Sequence, residues 1–312
     1  MNNNETNSTT NSPLKNNSTP FPIILSCTVL LALFSPIAVI GNALVCAAIL
    51  RNSSLRTPSY ILLAGLALTG VCNGLFVQPF FVANGLIYLT DTHQIKLFEK
   101  MTWPAAYITT KAISSGCGAY CFQVTMLLMT FMSIERWLHM TRRSFITVRP
   151  TRVTLVVLLL IPTPLAWIFV EETFSYLFRV AIISILVVCL SLTSVAYFKV
   201  FKTIRRHQQQ IHANELQQNF AQPAINFEKY KKSVYTILFI LAAFYICFLP
   251  IAIAMVLALV RPINEFTSLF LTIATILVHL YPLLNPLLYL WRMKDIRNEV
   301  RQLVKKIFLQ GN

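Results

Sequence analysis

Long runs of apolar residues, separated by short polar and charged segments, dominate the pattern along the chain. Seven stretches contain no Asp, Glu, Lys or Arg: residues 23–50, 58–87, 112–134, 154–170, 180–198, 233–260 and 266–290. A helix of about 20 apolar residues crosses the hydrocarbon core of a bilayer and pairs its backbone polar groups internally. The weak alternation that is typical of a membrane β-barrel is not visible in these runs. The pattern therefore predicts an all-α membrane protein, a seven-transmembrane helix bundle.

The ends of the chain differ from this apolar middle. Residues 1–22 form a polar tail, residues 23–290 contain the seven stretches, and residues 291–312 are rich in basic residues. In this last segment, apolar residues recur at helical spacing, which predicts a short amphipathic helix on the inner membrane surface. The residues that form its apolar face are Met293, Ile296, Val300, Val304 and Phe308.

Composition and charge agree with a membrane protein and fix its expected orientation. Hydrophobic residues make up 56% of the chain and charged residues 12%, whereas soluble domains carry about 25% charged residues. The net charge is +15, and the basic residues lie mainly in the segments on one side of the predicted helices. The positive-inside rule places that side in the cytoplasm, facing anionic lipid rather than nucleic acid, and the N-terminus outside the plasma membrane.

The N-terminal tail carries signals that agree with an extracellular location. Asn-x-Ser/Thr triplets are acceptor sites for N-glycosylation in secreted segments, so we expect a glycosylated tail. The triplets begin at Asn4, Asn7, Asn16 and Asn17.

Several polar or helix-breaking residues lie inside or at the ends of the apolar runs, where they are costly and call for a functional explanation. Asn42 lies midway along the first run, and Glu135–Arg136–Trp137 ends the third. Cys247–Phe248–Leu249–Pro250 interrupts the sixth, and the segment from Asn285 and Pro286 to Tyr289 ends the seventh. Taken in order on seven spans, these motifs resemble those of rhodopsin-like (class A) G-protein-coupled receptors.

This resemblance implies a receptor that binds an extracellular ligand and activates a heterotrimeric G-protein. It implies no enzymatic activity, no cofactor and no metal. Glu135 would pair with Arg136 at rest, and Arg136 would face the G-protein after activation. Tyr197 and Tyr289 match the tyrosines that support the open form. Pro250 would kink the sixth helix and make it a lever, because proline removes a backbone donor and clashes with the preceding turn.

The chain also departs from the family pattern. Gly70 replaces the usual aspartate of the second helix, so we expect weak or absent sodium modulation. Phe248 replaces the tryptophan of the sixth helix, and Cys189 replaces the proline of the fifth. Lys111 replaces the cysteine of the third helix, so the usual extracellular disulfide cannot form. The last two features, together with a short second extracellular loop, are similar to the melanocortin and cannabinoid receptor branches.

Two positions limit the ligand that the resemblance implies. Gly118 stands where amine receptors carry an aspartate, which argues against an amine. His279 stands where opsins carry the retinal lysine, which argues against retinal; it is either a ligand contact or a satisfied core histidine. The expected pocket, which is mostly apolar, is formed by Phe80, Phe81, Gly118, Phe122, Gln123, Ile251, Met255, Thr275 and His279. Such a pocket favours a hydrophobic small molecule, and a peptide held by the charged outer rim remains the alternative.

Other classes of function fit the sequence less well. A transporter or channel predicts several charges within the membrane or broken helices in repeated halves, and neither is visible. An intramembrane enzyme requires converging catalytic groups, whereas His279 has no carboxylate nearby in its helix. A receptor-like protein that couples poorly, or only with a partner chain, remains open.

Overall fold

The computed structural model describes residues 21–93, 103–141, 148–161, 175–217, 224–260 and 264–310. The described part is helical, with no strand. The glycosylation triplets at Asn4, Asn7, Asn16 and Asn17 lie outside it. We number the helices as follows: α1 Phe21–Arg51, α2 Pro58–Cys72 and Gln78–His93, α3 Trp103–Met140, α4 Val148–Leu160, α5 Ser175–Gln217, α6 Ala224–Val260, α7 Glu265–Arg292 and α8 Lys294–Gln310.

Six of these helices are long and apolar enough to cross a membrane, namely α1, α2, α3, α5, α6 and α7. The described part of α4 is 13 residues long, which is shorter than the roughly 20 residues that a span needs. The rest of the predicted fourth span, from residue 162, lies outside the described residues. The prediction of an all-α membrane bundle is confirmed.

A wide turn divides α2 and sets the direction of its outer half. Residues Asn73–Val77 form a single π-helical turn, in which the N–H of Gln78 bonds to the carbonyl of Asn73. The hydroxyl of Ser35 in α1 donates to the carbonyl of Gly74 over 2.6 Å. A Cβ at Gly74 would come within 2.6 Å of the Val39 side chain, so glycine permits this close approach of α1 and α2. Such bulges often occur at functional sites. This one lies one turn before Phe81, which lines a cavity within the bundle.

The helices pack into one bundle around a shared apolar core. Helix α7 lies against both α6 and α1, and α3 lies against α2 and α5. The core is rich in Leu, Val and Met from α2 and α3, together with aromatic residues of α6 and α7. Helix α8 packs against α1 and α7. Its residues Ile296 and Val300 are buried on the bundle while its charged residues are mostly exposed, which is the amphipathic arrangement that the sequence predicts.

Candidate functional site

The acidic residue at the inner end of α3 is held by a serine of α2. Glu135 is buried, and its Oε2 accepts a hydrogen bond from the hydroxyl of Ser59 over 2.8 Å. The sequence-based expectation was a pair between Glu135 and Arg136. Within the described part of the chain, no ion pair joins these two side chains. A buried carboxylate needs a donor, and Ser59, in the first turn of α2, supplies it.

The charge of Arg136 acts on tyrosines of two neighbouring helices. Its guanidinium lies within electrostatic range of the hydroxyl groups of Tyr60 in α2 and Tyr289 in α7. The hydroxyl of Tyr60 also donates to Asp295 in α8 over 3.2 Å. Tyr289 is buried, and its hydroxyl has no hydrogen-bond partner among the described residues. Polar residues of α2, α3, α7 and α8 therefore lie at this end of the bundle, within electrostatic range of one another.

Trp137 and Tyr197 connect the inner ends of α3 and α5. The Nζ atom of Lys199 in α5 lies 4.2 Å from the centre of a Trp137 ring, a cation–π contact. Tyr197 is buried with Val200 and Ile204, and Trp137 packs against this small cluster. Tyr197 also lies within electrostatic range of Tyr289. The residues of the predicted switch on α3, α5 and α7 thus meet at one end of the bundle.

Asn42 supplies a hydrogen bond that a proline removes from the backbone of α7. Pro286 has no N–H, so the carbonyl of Pro282, four residues earlier, lacks its helical donor. The Nδ2 of Asn42 donates to that carbonyl over 2.7 Å and to the carbonyl of Ala38 over 2.8 Å. Nearby, Gly41 lets α1 approach α7, because a Cβ there would lie 2.9 Å from Cγ of Pro286. Asn285, beside Pro286, is buried in the same region.

Gly70 leaves the space that Asn42 occupies. A Cβ at Gly70 would lie 2.6 Å from Cγ, 2.7 Å from Nδ2 and 2.8 Å from Oδ1 of Asn42. These separations are closer than real Cβ contacts allow. The side-chain amide of Asn42 in α1 therefore occupies the space that the side chain of an aspartate at position 70 would need.

An aromatic cluster lies at the hinge of α6. Phe248 and Cys247 are fully buried and lie two and three residues before Pro250. The Phe248 ring lies 5.0 Å from Phe244, 5.5 Å from Phe122 of α3 and 4.9 Å from Tyr281 of α7, measured between ring centroids. A cluster of this kind ties the hinge to α3 and α7, since tilted aromatic pairs add to simple burial.

Sequence reasoning missed two residues of this cluster, Phe244 of α6 and, more notably, Tyr281 of α7. Tyr281 is almost fully buried, and its hydroxyl donates to the sulfur of Met129 in α3 over 3.1 Å. In the sequence Tyr281 is one apolar-run residue beside Pro282, and no local signal distinguishes it. Ser59 was missed for a similar reason, because a serine after a proline reads as part of a helix start.

A cavity of about 210 Å³, called the outer cavity after its predicted extracellular side, adjoins this cluster through Phe122. Its lining is mostly apolar, with hydroxyl groups at Ser114, Ser115 and Thr275. Of the positions expected from the sequence, Phe80 and Gln123 do not line it; Gln123 is buried elsewhere, and its Nε2 has no partner among the described residues. The residues that line the cavity are Phe81, Ser114, Ser115, Gly118, Ala119, Phe122, Ile182, Ile251, Met255, Thr275, Val278 and His279.

His279 stands at the edge of this cavity. Its ring centroid lies 4.4 Å from that of Phe81, and Nε2 of Gln78 donates to its backbone carbonyl over 2.8 Å. The side chain is buried, and its Nδ1 has no partner among the described residues. A buried polar atom without a partner is uncommon, so His279 retains a hydrogen bond that it can offer to a ligand or to water.

The described residues contain no group of three or more His, Cys, Asp or Glu side chains that could hold a metal ion. All seven cysteines carry free thiols. The described residues instead form an apolar cavity, an aromatic hinge and a polar cluster at the opposite end.

Comparison with known proteins agrees with this arrangement. The family described as "7 transmembrane receptor (rhodopsin family)" matches residues 41–171 and 165–289. The chain is 21% identical to the high-affinity lysophosphatidic acid receptor of Xenopus laevis, covering 93% of this chain and 84% of that protein. It is 22% identical to the mouse adenosine receptor A2b, over 88% of each, and 23% identical to human melanocortin receptor 3, over 86% and 82%.

The matched region covers most of the chain, and this chain belongs to the rhodopsin family of seven-transmembrane receptors. It is a G-protein-coupled receptor and a multi-pass membrane protein, and it is not an enzyme. The resemblance stated from its motifs is confirmed.

Proposed function

We propose that this receptor binds a hydrophobic extracellular ligand in the outer cavity and thereby moves α6, which exposes Arg136 to a heterotrimeric G-protein. One observation carries the proposal. Phe122 lines the cavity, and its ring contacts Phe248 at the hinge of α6. A ligand in the cavity would therefore contact Phe122, and Phe122 is the one side chain between the ligand and Phe248 along this route.

The lining of the cavity supports a ligand with a large apolar part. Phe81, Ile251 and Met255 supply apolar surface, while Thr275 and His279 supply polar atoms. Ligand sites commonly combine apolar walls with a few polar groups that fix orientation. Among the relatives, one is named as a receptor for a lipid, lysophosphatidic acid, and others as receptors for adenosine or melanocortins. The apolar walls favour the first kind of ligand over a peptide.

The inner polar cluster supports the coupling step. Arg136 and Tyr197 both lie within electrostatic range of Tyr289 of α7, and Leu241 of α6 packs against the cluster that contains Tyr197. Packed interfaces hold discrete arrangements, so a ligand acts by preferring one of two of them. Movement of α6 away from α5 would open the space beside Arg136 that a G-protein segment would fill.

The proposal is tested by G-protein activation in cells at equal surface expression. The native chain is compared with Arg136→Ala and with His139→Ala, an exposed neighbour on the same turn region of α3. A signal, basal or evoked in a screen of hydrophobic ligands, that disappears in Arg136→Ala but persists in His139→Ala supports the proposal. No signal from the native chain across all G-protein classes would favour a receptor-like protein that needs a partner chain.

The cavity has its own test once a ligand is found. Phe122→Ala and Thr275→Ala should weaken the response, whereas Phe80→Ala, on α2 outside the cavity wall, should not. Equal effects of all three substitutions would contradict the placement of the ligand.

We also propose that the N-terminus is extracellular and glycosylated at one or more of Asn4, Asn7, Asn16 and Asn17. The support is the basic charge of the opposite side and the triplets themselves. Treatment with an N-glycosidase should increase gel mobility, and replacing all four asparagines by glutamine should abolish that shift. An epitope at the N-terminus that antibodies reach only after permeabilisation would contradict the orientation.

A further inference from the structure

A second cavity, of about 420 Å³, lies on the outside of the bundle between α3, α4 and α5. It shares no lining residue with the outer cavity. Val188 and Leu192 of α5 line it, although they are 55% and 46% exposed. The cavity is therefore open on the side of the bundle that faces the membrane, and its volume lies within the range of about 300–1,000 Å³ that is common for ligand sites.

The polar side chains in this cavity are already satisfied. Thr130 of α3 donates to the carbonyl of Met126 over 2.8 Å and lies 3.2 Å from the hydroxyl of Thr193. Ser184 of α5 donates to the carbonyl of Val180 over 2.8 Å. The other residues that line the cavity are apolar or, at Cys189, a thiol. The hydroxyl hydrogens of Thr130 and Ser184 are thus used within the protein, and an occupant gains mainly packing, which favours an apolar occupant.

The depth of the cavity within the membrane also favours an apolar occupant. Cys189 precedes Lys199, the next charged residue along α5, by about 15 Å at a rise of about 1.5 Å per residue. Half of a hydrocarbon core about 30 Å thick has that same extent. The cavity thus lies near the middle of the bilayer, below the level of the lipid head groups.

We infer that this cavity binds an acyl chain of a membrane phospholipid. An unfilled apolar cavity deprives its lining of dispersion contacts, and water finds too few polar partners in it to fill it. Acyl chains are the apolar material that surrounds the bundle at this depth. The cavity is continuous with the lipid-facing surface at Val188 and Leu192, so a chain enters from the side.

Photo-crosslinking of the full chain tests this inference. The receptor is placed in phosphatidylcholine bilayers that contain a phosphatidylcholine with a mid-chain diazirine, irradiated, and mapped by peptide mass spectrometry. We expect adducts on the cavity-lining residues of α3 and α5 to exceed several-fold those on the exposed face of α1 around Leu33, Ile37 and Ile40. Equal labelling of the two faces would overturn the inference.

Two neighbouring valines provide a matched pair of variants. Val188 lines the cavity and Val187 does not, although both are about half exposed. Val188→Phe should reduce labelling of the cavity several-fold, and Val187→Phe should leave it unchanged. If Val188→Phe is not recovered folded, Leu192→Phe replaces it, with Val195→Phe as control.

The remaining outcomes also decide. Labelling that survives both Val188→Phe and Leu192→Phe would show that chains touch the surface without entering, and would overturn the inference. A sterol that displaces the phospholipid label at equal membrane content would assign the cavity to sterol and would overturn it as well. None of these measurements depends on G-protein coupling, so they stand apart from the proposed function.

Discussion

Gly70 and Asn42 form a pair in which one residue leaves space for the other. In Gly70→Ala the new methyl group would lie 2.6 Å from Cγ of Asn42, so the amide would have to turn away. It would then lose its bond to the carbonyl of Pro282, which Pro286 leaves without a helical donor. The substitution should therefore destabilise the receptor, although alanine normally stabilises a helix relative to glycine.

The size of the effect follows from the lost hydrogen bond. A buried polar group without a partner costs about 1–3 kcal/mol, while side-chain hydrogen bonds in membranes average about 0.6 kcal/mol with a maximum of about 1.7. We expect Gly70→Ala to cost about 1–2 kcal/mol, seen as a lower Tm of the purified receptor. Gly118→Ala is the control, because its Cβ would lie 3.4 Å from Val77, an ordinary contact.

A double-mutant cycle isolates the proposed cause. In Asn42→Ala the amide is absent, so Gly70→Ala should then cost nothing further and should even gain from helix propensity. A loss of Tm in the double variant that equals the sum of the losses in the two single variants would refute the reasoning. An unchanged or higher Tm of Gly70→Ala alone would refute it as well.

Three further outcomes follow from the described contacts. Since Gly70 supplies no carboxylate, replacing K⁺ by Na⁺ at constant ionic strength should leave the Tm unchanged, and a rise specific to Na⁺ would contradict this. Tyr281→Ala should lower stability by about 3–5 kcal/mol through the cavity it leaves, whereas Tyr281→Phe, which keeps the ring packing, should cost far less; similar losses in both would show that the hydroxyl dominates. Ser59→Ala should lower the free energy of unfolding by about 1–3 kcal/mol, because the buried Glu135 loses its donor. Ser26→Ala is the control and should have almost no effect, since the exposed hydroxyl of Ser26 bonds only to a carbonyl of its own helix.

The helices could be predicted from the sequence because each apolar run must satisfy its backbone within itself. The described bounds extend several runs beyond the uncharged core: α5 continues to Gln217 and α3 begins at Trp103. Charge-free stretches delimit only the membrane part of a helix, because helix length in water depends on propensity and packing rather than on the absence of charge. The charged segment after the fifth stretch was expected to continue that helix, whereas the start of α3 at Trp103 was not predicted.

Some members of the inner cluster were predictable from the sequence, but its contacts were not. Arg136, Tyr197 and Tyr289 were singled out by motif, and Tyr289 lies within electrostatic range of the other two, whereas Tyr60 and Asp295 were not singled out. The donor to Glu135 was not predictable, because Ser59 is 76 residues away and its role depends on how α2 crosses α3. Sequence neighbours such as Arg136 are natural first guesses for a partner, but adjacent residues on a helix point in different directions.

The wide turn in α2 shows a similar limit. Nothing in the segment Asn73–Val77 marks it as π-helical, apart from a glycine inside an apolar helix. The turn depends on Ser35 of α1, which bonds to the carbonyl of Gly74. A bulge that is stabilised by a donor from another helix becomes visible only when both helices are in place.

Among the described residues, hydrogen bonds join α7 to three neighbouring helices, whereas those of α6 run from Tyr245 to α5 alone, and this gives the proposed movement its direction. Asn42 joins α7 to α1, Gln78 joins it to α2, and Tyr281 joins it to α3. The bonds at Asn42 and Gln78 are made to α7 backbone carbonyls, so they do not depend on side-chain rotamers of α7. Helix α6 meets this fixed partner at the hinge mainly through ring contacts such as that between Phe248 and Tyr281. Ring contacts can slide at modest cost, whereas breaking a buried hydrogen bond leaves an unpaired group. A push from the outer cavity through Phe122 is therefore expected to move α6 and to leave α7 in place.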